Sequence, residues 1–410
     1  MTGSIHAFAG YGIAALLCAL PAAGANLTGR LIDIEGKPVA GVAVALEKGS
    51  ATAITDGLGK FNLTTVSIRP GYRSVPGAAM PQDFPTPAFP GNGDLRSLLG
   101  RRLEGPAAVS PYRHVATEKQ AAAADTLALS KSAYLTRRLA IANPDSGLGD
   151  IILHPALPGA AVKYLGYDQF NFTVAGKAAL VVAPKKPRSG NPWIWRTYFW
   201  NHKPLFDSIL CAQGYYLAFI DAPNLFGAPA AVAIMDSFYV RLTGRYGLSR
   251  KPTLFGISRG AYYMYNWGRA NTDKISALYG DGAGMDYVSW PCGCYGTGTG
   301  SAGDWTLLKS VFGFTDDAAA KAYRGNPYQN MKPFALAKTP IIHVYGETDN
   351  VAPPNENVLK ANDSLKAYGW KMTLLAKPKT GHTHGVTAGD GGLPGQLDSL
   401  VAFVLRNTAP

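Results

Sequence analysis

From about residue 155 onward, apolar positions fall in short runs separated by longer amphipathic stretches. The runs lie at 178–182, 216–220, 253–255, 275–279, 341–345 and 372–375. Helical spacing falls between and after them, at 206–212, 231–246, 260–270, 356–368 and 395–405. Short strands joined by crossover helices predict a mostly parallel sheet covered on both faces. Upstream, 26–68 reads differently: Val42, Val44 and Leu46 alternate with small residues. Gly36-Lys37-Pro38 and Asp56-Gly57-Leu58-Gly59 punctuate the stretch as turns, the pattern of short strands. Residues 69–124 are rich in Pro, Gly and Ala and lack sustained periodicity, as a long insertion or linker would. Strand-like runs return at 125–129, 139–141 and 149–153. They read as the closing strands of the same all-β sandwich, giving an interrupted N-terminal domain at 26–154 and an α/β domain at 155–410.

Composition narrows the function classes. The chain has 410 residues, a length that fits two to three domains, with 47% hydrophobic and 16% charged residues. That apolar share excludes wholesale disorder, and collagen and coiled-coil patterns are missing. Lys and Arg outnumber Asp and Glu by 39 to 27, a net charge of +12, which invites a nucleic-acid reading. The basic residues are scattered, however, with only short clusters such as Lys185-Lys186-Pro187-Arg188 and Arg101-Arg102 and no reading motif, so no nucleic-acid partner is expected. The positive field favours an acidic substrate or an anionic surface by steering.

Residues 5–23 form an uncharged apolar run followed by Ala23-Gly24-Ala25, which reads as a secretory signal over 1–25, cut after Ala25. The expectation is a secreted or periplasmic protein without stable membrane insertion after cleavage. The alternative is an uncleaved anchor, since Met1 to Ala7 has no Lys or Arg; against it, the run is short for a span of roughly 20 residues. Cys18 leaves with the signal. The remaining Cys211, Cys292 and Cys294 cannot form a disulfide framework. Cys292-Gly293-Cys294 is too isolated for a zinc site and reads as a local bridge or two buried thiols.

Chemistry concentrates at Leu254-Phe255-Gly256-Ile257-Ser258-Arg259-Gly260-Ala261, at a strand end with a helix following. This is a Gly-x-Ser-x-Gly nucleophile elbow in the context it requires. Ser258 must take a strained conformation at a sharp turn, and Gly256 and Gly260 relieve the crowding. His6, His114 and His154 precede the sheet, and His343 lies inside a strand. His382 and His384, in the loop Lys379-Thr380-Gly381-His382-Thr383-His384-Gly385, follow a late strand and can reach the serine. His382 is favoured as the base, with His384 lining the site; a metal pair at His382 and His384 lacks an evident third ligand, and no cofactor is implied. For the orienting acid, Gly346-Glu347-Thr348-Asp349 follows the preceding strand. Asp349 is chosen, Glu347 is the reserve, and Asp281 and Asp286 are further possibilities. The order Ser258, Asp349, His382 is the Ser…Asp…His order of α/β-hydrolases.

An oxyanion hole needs two donors. One is the Arg259 N–H, and the loop after the 178–182 run should supply the other, with the Arg196 or Trp195 backbone as candidates. The Arg259 guanidinium points to the oxyanion or a substrate carboxylate, or else forms a salt bridge beneath the elbow. Trp193, His202, Trp290 and Trp305 are candidate substrate contacts, with plain packing the alternative for the tryptophans. The segment 281–333 is the natural cap, its aromatic residues among many glycines suited to stacking on sugar rings or aromatic acyl groups.

These residues resemble secreted bacterial α/β-hydrolases of carbohydrate-esterase character. The matching stretches are Pro192-Trp193-Ile194-Trp195-Arg196, Asp221-Ala222-Pro223-Asn224-Leu225-Phe226-Gly227, Gly256-Ile257-Ser258-Arg259-Gly260, Ser289-Trp290-Pro291, Gly303-Asp304-Trp305 and Gly381-His382-Thr383-His384. The elbow is similar to that of glucuronoyl esterases, where the Arg after Ser faces the oxyanion, although Ile257 stands where they have Cys. The N-terminal stretches Gly29-Arg30-Leu31-Ile32-Asp33, Gly36-Lys37-Pro38-Val39-Ala40-Gly41 and Thr55-Asp56-Gly57-Leu58-Gly59-Lys60-Phe61 resemble the carboxypeptidase-regulatory-like β-sandwich. Together the resemblances imply an α/β-hydrolase sheet with covering helices, preceded by a small all-β accessory module. They imply a serine esterase acting on a small-molecule or polysaccharide ester. A prolyl-oligopeptidase-type serine peptidase shares fold and triad, but its large propeller has no room in the expected plan. A non-catalytic glycan-binding protein on a hydrolase scaffold is the third reading.

Overall fold

The computed structural model describes residues 25–49, 51–65, 125–142 and 147–408; the 69–124 insertion and all but the last residue of the expected signal lie outside them. Seven strands come first: β1 (Ala25–Ile32), β2 (Ala43–Leu46), β3 (Thr52–Ile54), β4 (Lys60–Thr65), β5 (Asp125–Ser130), β6 (Arg137–Ile141) and β7 (Gly147–Ile152). They form a three-stranded sheet in the order β4-β1-β7 and a four-stranded sheet in the order β3-β2-β5-β6. The period-two alternation explains the pairing: Val44, Leu46, Leu127 and Leu129 from one sheet and Leu27, Leu31, Leu63 and Ile151 from the other close one buried core. Two aspartates shape the turns. Asp33 accepts the N–H groups of Glu35 and Lys37, and Asp56 those of Leu58 and Lys60, each at 2.8–2.9 Å. Gly59 sits in the left-handed region, where a Cβ would lie 2.3 Å from the Leu31 carbonyl oxygen.

The second sheet has nine strands. They are β8 (Ala161–Tyr164), β9 (Tyr167–Val174), β10 (Lys177–Ala183), β11 (Trp193–Arg196), β12 (Tyr216–Ile220), β13 (Thr253–Ile257), β14 (Ala277–Asp281), β15 (Ile341–Gly346) and β16 (Thr373–Lys377). Their order is β16-β15-β14-β13-β11-β12-β10-β9-β8. The six strands from β16 to β12 are mutually parallel, and β10 turns antiparallel to β12 and β9. The helices are α1 (Leu205–Ala212), α2 (Pro229–Val240), α3 (Gly260–Gly268), α4 (Ala302–Phe312), α5 (Asp317–Ala322), α6 (Lys332–Leu336), α7 (Val358–Lys366) and α8 (Gln396–Asn407). Residues of α2, α3, α6 and α7 pack on one face of the sheet and residues of α1 and α8 on the other. This is the α/β-hydrolase fold. Because both faces are covered, successive side chains bury into opposite layers: Leu254 and Leu278 into one, Phe255 and Tyr279 into the other. Such strands read as continuous apolar runs rather than alternating ones.

Several elements differ from the sequence expectation. Residues 193–196, read there as a loop, are the central strand β11, every side chain buried. An arginine ending a tryptophan-rich tetrapeptide conceals a strand; here Arg196 is stabilised by its pair with Asp207 of α1, both fully buried. The strand expected at 275–279 runs two residues later and ends on Asp281. The helix expected at 231–246 is α2 continued by a π-turn at Arg241–Arg245. The hairpin β8–β9 was not foreseen. The 281–333 segment is less loop-like than its glycines suggest, because it contains α4 and α5. Ser301 caps the first by accepting the Asp304 N–H and Asp316 the second by accepting the Ala319 N–H, and left-handed Gly313 ends α4. Cys292 and Cys294 are bridged, and Cys211 is a buried free thiol. Among the described residues, no helix is long and apolar enough to cross a membrane.

The layer under α3 supplies a stability test. Trp267 is fully buried, meets Trp195 at 4.9 Å between ring centres, and donates its indole N–H to Asp236 at 2.8 Å. Trp267→Ala should lower unfolding free energy by about 3–5 kcal/mol in denaturant titration. A loss below about 1 kcal/mol would show that this layer is not tightly packed.

Candidate active site

The chain reverses its direction of strand addition at β11, β12 and β13, so a crevice opens above the carboxyl ends of β11 and β13. Ser258 stands there, between β13 and α3. Its φ is +48°, a left-handed conformation that a side-chain-bearing residue holds only when its surroundings dictate it. Here they do: the Ser258 N–H donates to the Asp281 carbonyl at 2.9 Å, and the Ser258 carbonyl accepts from Ala261 and Gly284, both at 3.1 Å. A Cβ on Gly256 would lie 2.9 Å from the Ala261 Cα, and one on Gly260 would lie 3.0 Å from the Tyr198 Cβ. The expected crowding at both glycines is thus present.

The structure brings the three sequence-chosen residues together. Ser258 Oγ lies 3.0 Å from His382 Nε2, and His382 Nδ1 lies 2.7 Å from Asp349 Oδ2. Asp349 Oδ1 accepts the N–H groups of Val351 and Ala352 at 2.8 and 2.9 Å, which fixes the carboxylate's rotation. Burial alone would raise its pKa, but the hydrogen bond and charge of His382 and the two N–H groups hold it below the usual carboxylate range. The His382 loop is fastened from below. Lys377, fully buried at the end of β16, donates to the carbonyls of Thr383 and Gly385 at 2.7 and 3.0 Å and to the Thr383 hydroxyl at 3.1 Å. A Cβ on Gly346, at the end of β15, would lie 2.2 Å from the carbonyls of Thr380 and Gly381, so only glycine lets this loop come so near.

The other acids are sorted elsewhere. Glu347 is exposed. Asp286 binds Lys360 at 2.8 Å and the Tyr295 hydroxyl at 2.9 Å. Asp281 faces His384, with Nδ1 and Oδ1 3.5 Å apart. His384 lies beside His382, ring centres 4.7 Å apart, and His202 meets His384 at 5.3 Å. Both therefore line the crevice as expected. His343 is buried against the Tyr265 hydroxyl, and burial pushes its imidazole down to about 3.

The remaining expectations need correction. Trp195 and Arg196 pair with β12 on one side and β13 on the other, so their N–H groups serve sheet ladders and neither is free for an oxyanion. The Arg196 guanidinium is fully buried; it binds Asp207, donates to the carbonyls of Phe199 and Lys203 at 3.3 Å, and rests on the Phe255 ring. Arg196 thereby shapes the loop that follows β11 without reaching the crevice. In that loop Thr197 donates its N–H to the Phe255 carbonyl and its hydroxyl to the Gly260 carbonyl. The next N–H, that of Tyr198, and the Arg259 N–H make no hydrogen bond among the described residues. Tyr198 lies against Gly260. Tyr198 is thus the candidate partner of Arg259 in an oxyanion hole. It was missed because the strand before it was missed.

The tryptophans are packing residues. Trp193 is fully buried, stacks on Trp195 at 5.2 Å and donates to the Ser249 carbonyl. Trp290 and Trp305 point inward with Phe226, Tyr262, Tyr287 and Leu308 to form a separate core under the cap, so they offer no stacking platform. The Arg259 guanidinium joins them: it pairs with Asp304 of α4 through two hydrogen bonds of 3.1 Å and lies over the Trp290 ring at 4.6 Å. Its ion pair reaches up to the cap rather than beneath the elbow.

No protein-family model and no curated protein matches the chain. Among solved structures, it is similar to a Mycobacterium tuberculosis puromycin-hydrolyzing peptidase, with 13% identity and a TM-score of 0.48 over 69% of this chain and 44% of that one. It is also similar to the Pyrococcus horikoshii acylaminoacyl peptidase, with 16% identity and a TM-score of 0.41 over 54% and 38%. A third is EstE5, in a crystal soaked with p-nitrophenyl butyrate, with 18% identity and a TM-score of 0.43 over 60% and 86%. The matched part spans less than half the length of the two peptidases. The α/β-hydrolase fold itself rests on the strand order, the helices on both faces and the elbow.

Proposed function

We propose that the protein is a serine hydrolase that cleaves carboxylic esters through an acyl-enzyme. The observation that carries this reading is the continuous relay from Ser258 Oγ through His382 to Asp349, with contacts of 3.0 and 2.7 Å. Ser258 Oγ attacks the ester carbonyl carbon as His382 Nε2 takes its proton, while Asp349 steadies the imidazolium. The tetrahedral oxyanion faces the N–H groups of Arg259 and Tyr198. Collapse expels the alcohol, which leaves with the proton from His382. Water then attacks the acyl group, giving a proton to His382, and Ser258 regains that proton as the acid departs.

The finer substrate reading is an ester carried by plant polysaccharide or a related glycan. It is supported by the elbow's resemblance to carbohydrate esterases and by the accessory-type N-terminal sandwich; the cap tryptophans, being packed inward, add nothing to it. Secretion is part of the same proposal and rests on the apolar run at 5–23 with its Ala-x-Ala end. The same triad can cleave amides, so peptide substrates belong in the test.

A fluorophosphonate probe should label the wild-type protein and leave Ser258→Ala unlabelled. Acetyl, methyl-uronate and feruloyl esters should be hydrolysed in preference to peptide amides. Missing Ser258-dependent labelling would sink the reading, and faster cleavage of amides would make the protein a peptidase.

Asp349→Asn should lower kcat on the best ester by about 10⁴-fold, as replacing the triad carboxylate does in serine proteases, with folding retained. The same variant carries a pH signature. Because the folded Asp349 pKa lies below its unfolded value, its contribution to stability is complete above the ordinary carboxylate range and is lost as pH falls through the lowered value. Acid titration of unfolding free energy should therefore be shallower in Asp349→Asn than in wild type; parallel curves would show that Asp349 is not held ionised by His382.

A further inference from the structure

A second imidazole stands beside the reacting one and is mounted in the same manner. His384 Nδ1 faces Asp281 Oδ1 across 3.5 Å, and among the described residues neither atom has another hydrogen-bond partner. The other oxygen of Asp281 is occupied by the Tyr279 hydroxyl at 3.0 Å and the Gly385 N–H at 2.7 Å. The carboxylate is therefore fixed in rotation with Oδ1 left to the imidazole. Burial opposes its ionisation, but the His384 hydrogen bond and charge, Lys377 and the Gly385 N–H together hold its pKa below the usual range. An ionised carboxylate only accepts, so it draws the proton of neutral His384 to Nδ1 and leaves the lone pair on Nε2.

The ring's placement directs that lone pair. Its Nδ1–Cε1 edge lies on Gly282, where a Cβ would come within 3.0 and 2.8 Å of those two atoms. The opposite edge, which carries Nε2, is left toward the space shared with the His382 and His202 rings, and the side chain keeps 10% of its surface exposed.

We propose that Asp281 presents His384 as a hydrogen-bond acceptor for a free hydroxyl of the substrate, next to the ester that Ser258 attacks. The inference rests on the serine-esterase reading and names its substrate class: partial esters of polyols or sugars. A carboxylate would meet the Nε2 lone pair as like to like, whereas a hydroxyl donates into it. The 4.7 Å between the two imidazole centres keeps that hydroxyl close to the reacting carbonyl, on a carbon neighbouring the ester.

The test compares kcat/KM for 2-hydroxyethyl acetate and propyl acetate, with fluorophosphonate labelling of Ser258 measured in parallel. Wild type should prefer the hydroxylated ester by about tenfold, the worth of one hydrogen bond. His384→Phe keeps a ring in place but has no acceptor, and should bring the ratio close to one while Ser258 still takes the label. Asp281→Asn releases the tautomer and should do the same; if it fails to fold, His384→Phe decides alone. A wild-type ratio near one, a ratio that survives His384→Phe, or equal losses on both esters would overturn the proposal, the last leaving His384 as a support for His382 only. Absence of label on wild-type Ser258 would instead bring down the esterase reading itself, and this inference with it.

Discussion

The crevice depends on one strained turn. Ser258 holds a left-handed backbone at the end of β13, a conformation costing on the order of 1–3 kcal/mol. It persists because three neighbours determine it together: the last residue of β14 takes its N–H, while Gly284 and Ala261 donate to its carbonyl. Crowding on the two sides is relieved only by glycine at 256 and 260. The register of β14, the start of α3 and the loop after β11 are thus tied to where one hydroxyl must point. A change in any of them moves the nucleophile before it affects overall folding.

Around that turn, charge is handled by assignment. Two imidazoles and two buried carboxylates share a small volume, and each imidazole faces its own acid: His382 meets Asp349, and His384 meets Asp281. A buried carboxylate without a partner carries a large desolvation penalty, which makes the pairing a condition of folding as well as of chemistry. Lys377 lies beneath both, and burial pushes its ammonium below the ordinary lysine range while Asp281 and Asp390 oppose the shift. Its three hydrogen bonds all go to the His382 loop and its continuation. It serves as a peg for that loop.

Much of this arrangement was readable from the chain. Ser258, Asp349 and His382 could be chosen because each follows an apolar run, and strand ends are where a parallel sheet displays its chemistry. What escaped notice had physical causes. β11 is four residues long and ends in arginine, a residue rarely buried unless paired; its partner Asp207 is eleven positions away on α1. Losing that strand misplaced the second oxyanion donor at Trp195 and Arg196 instead of Tyr198. The tryptophans failed in the opposite direction: aromatic residues among glycines suggested sugar stacking, yet Trp290 and Trp305 fill the cap's own core. In α4, caps at Ser301 and Gly313 outweigh a glycine-rich approach that looked unhelical. Local signals found the nucleophile, and long-range pairing decided what surrounds it.

Arg259 gives two parts of the molecule a common owner. Its main chain offers an N–H beside the nucleophile, and its side chain grips Asp304 and lies on Trp290. The cap therefore cannot drift, by inheritance or by engineering, without pulling on the residue that faces the reacting carbonyl. Selectivity and turnover become linked traits: cap substitutions that reshape the entrance should be non-additive with changes at the elbow. Any successful regrafting of a foreign cap onto this scaffold would have to bring its own anchor for the guanidinium.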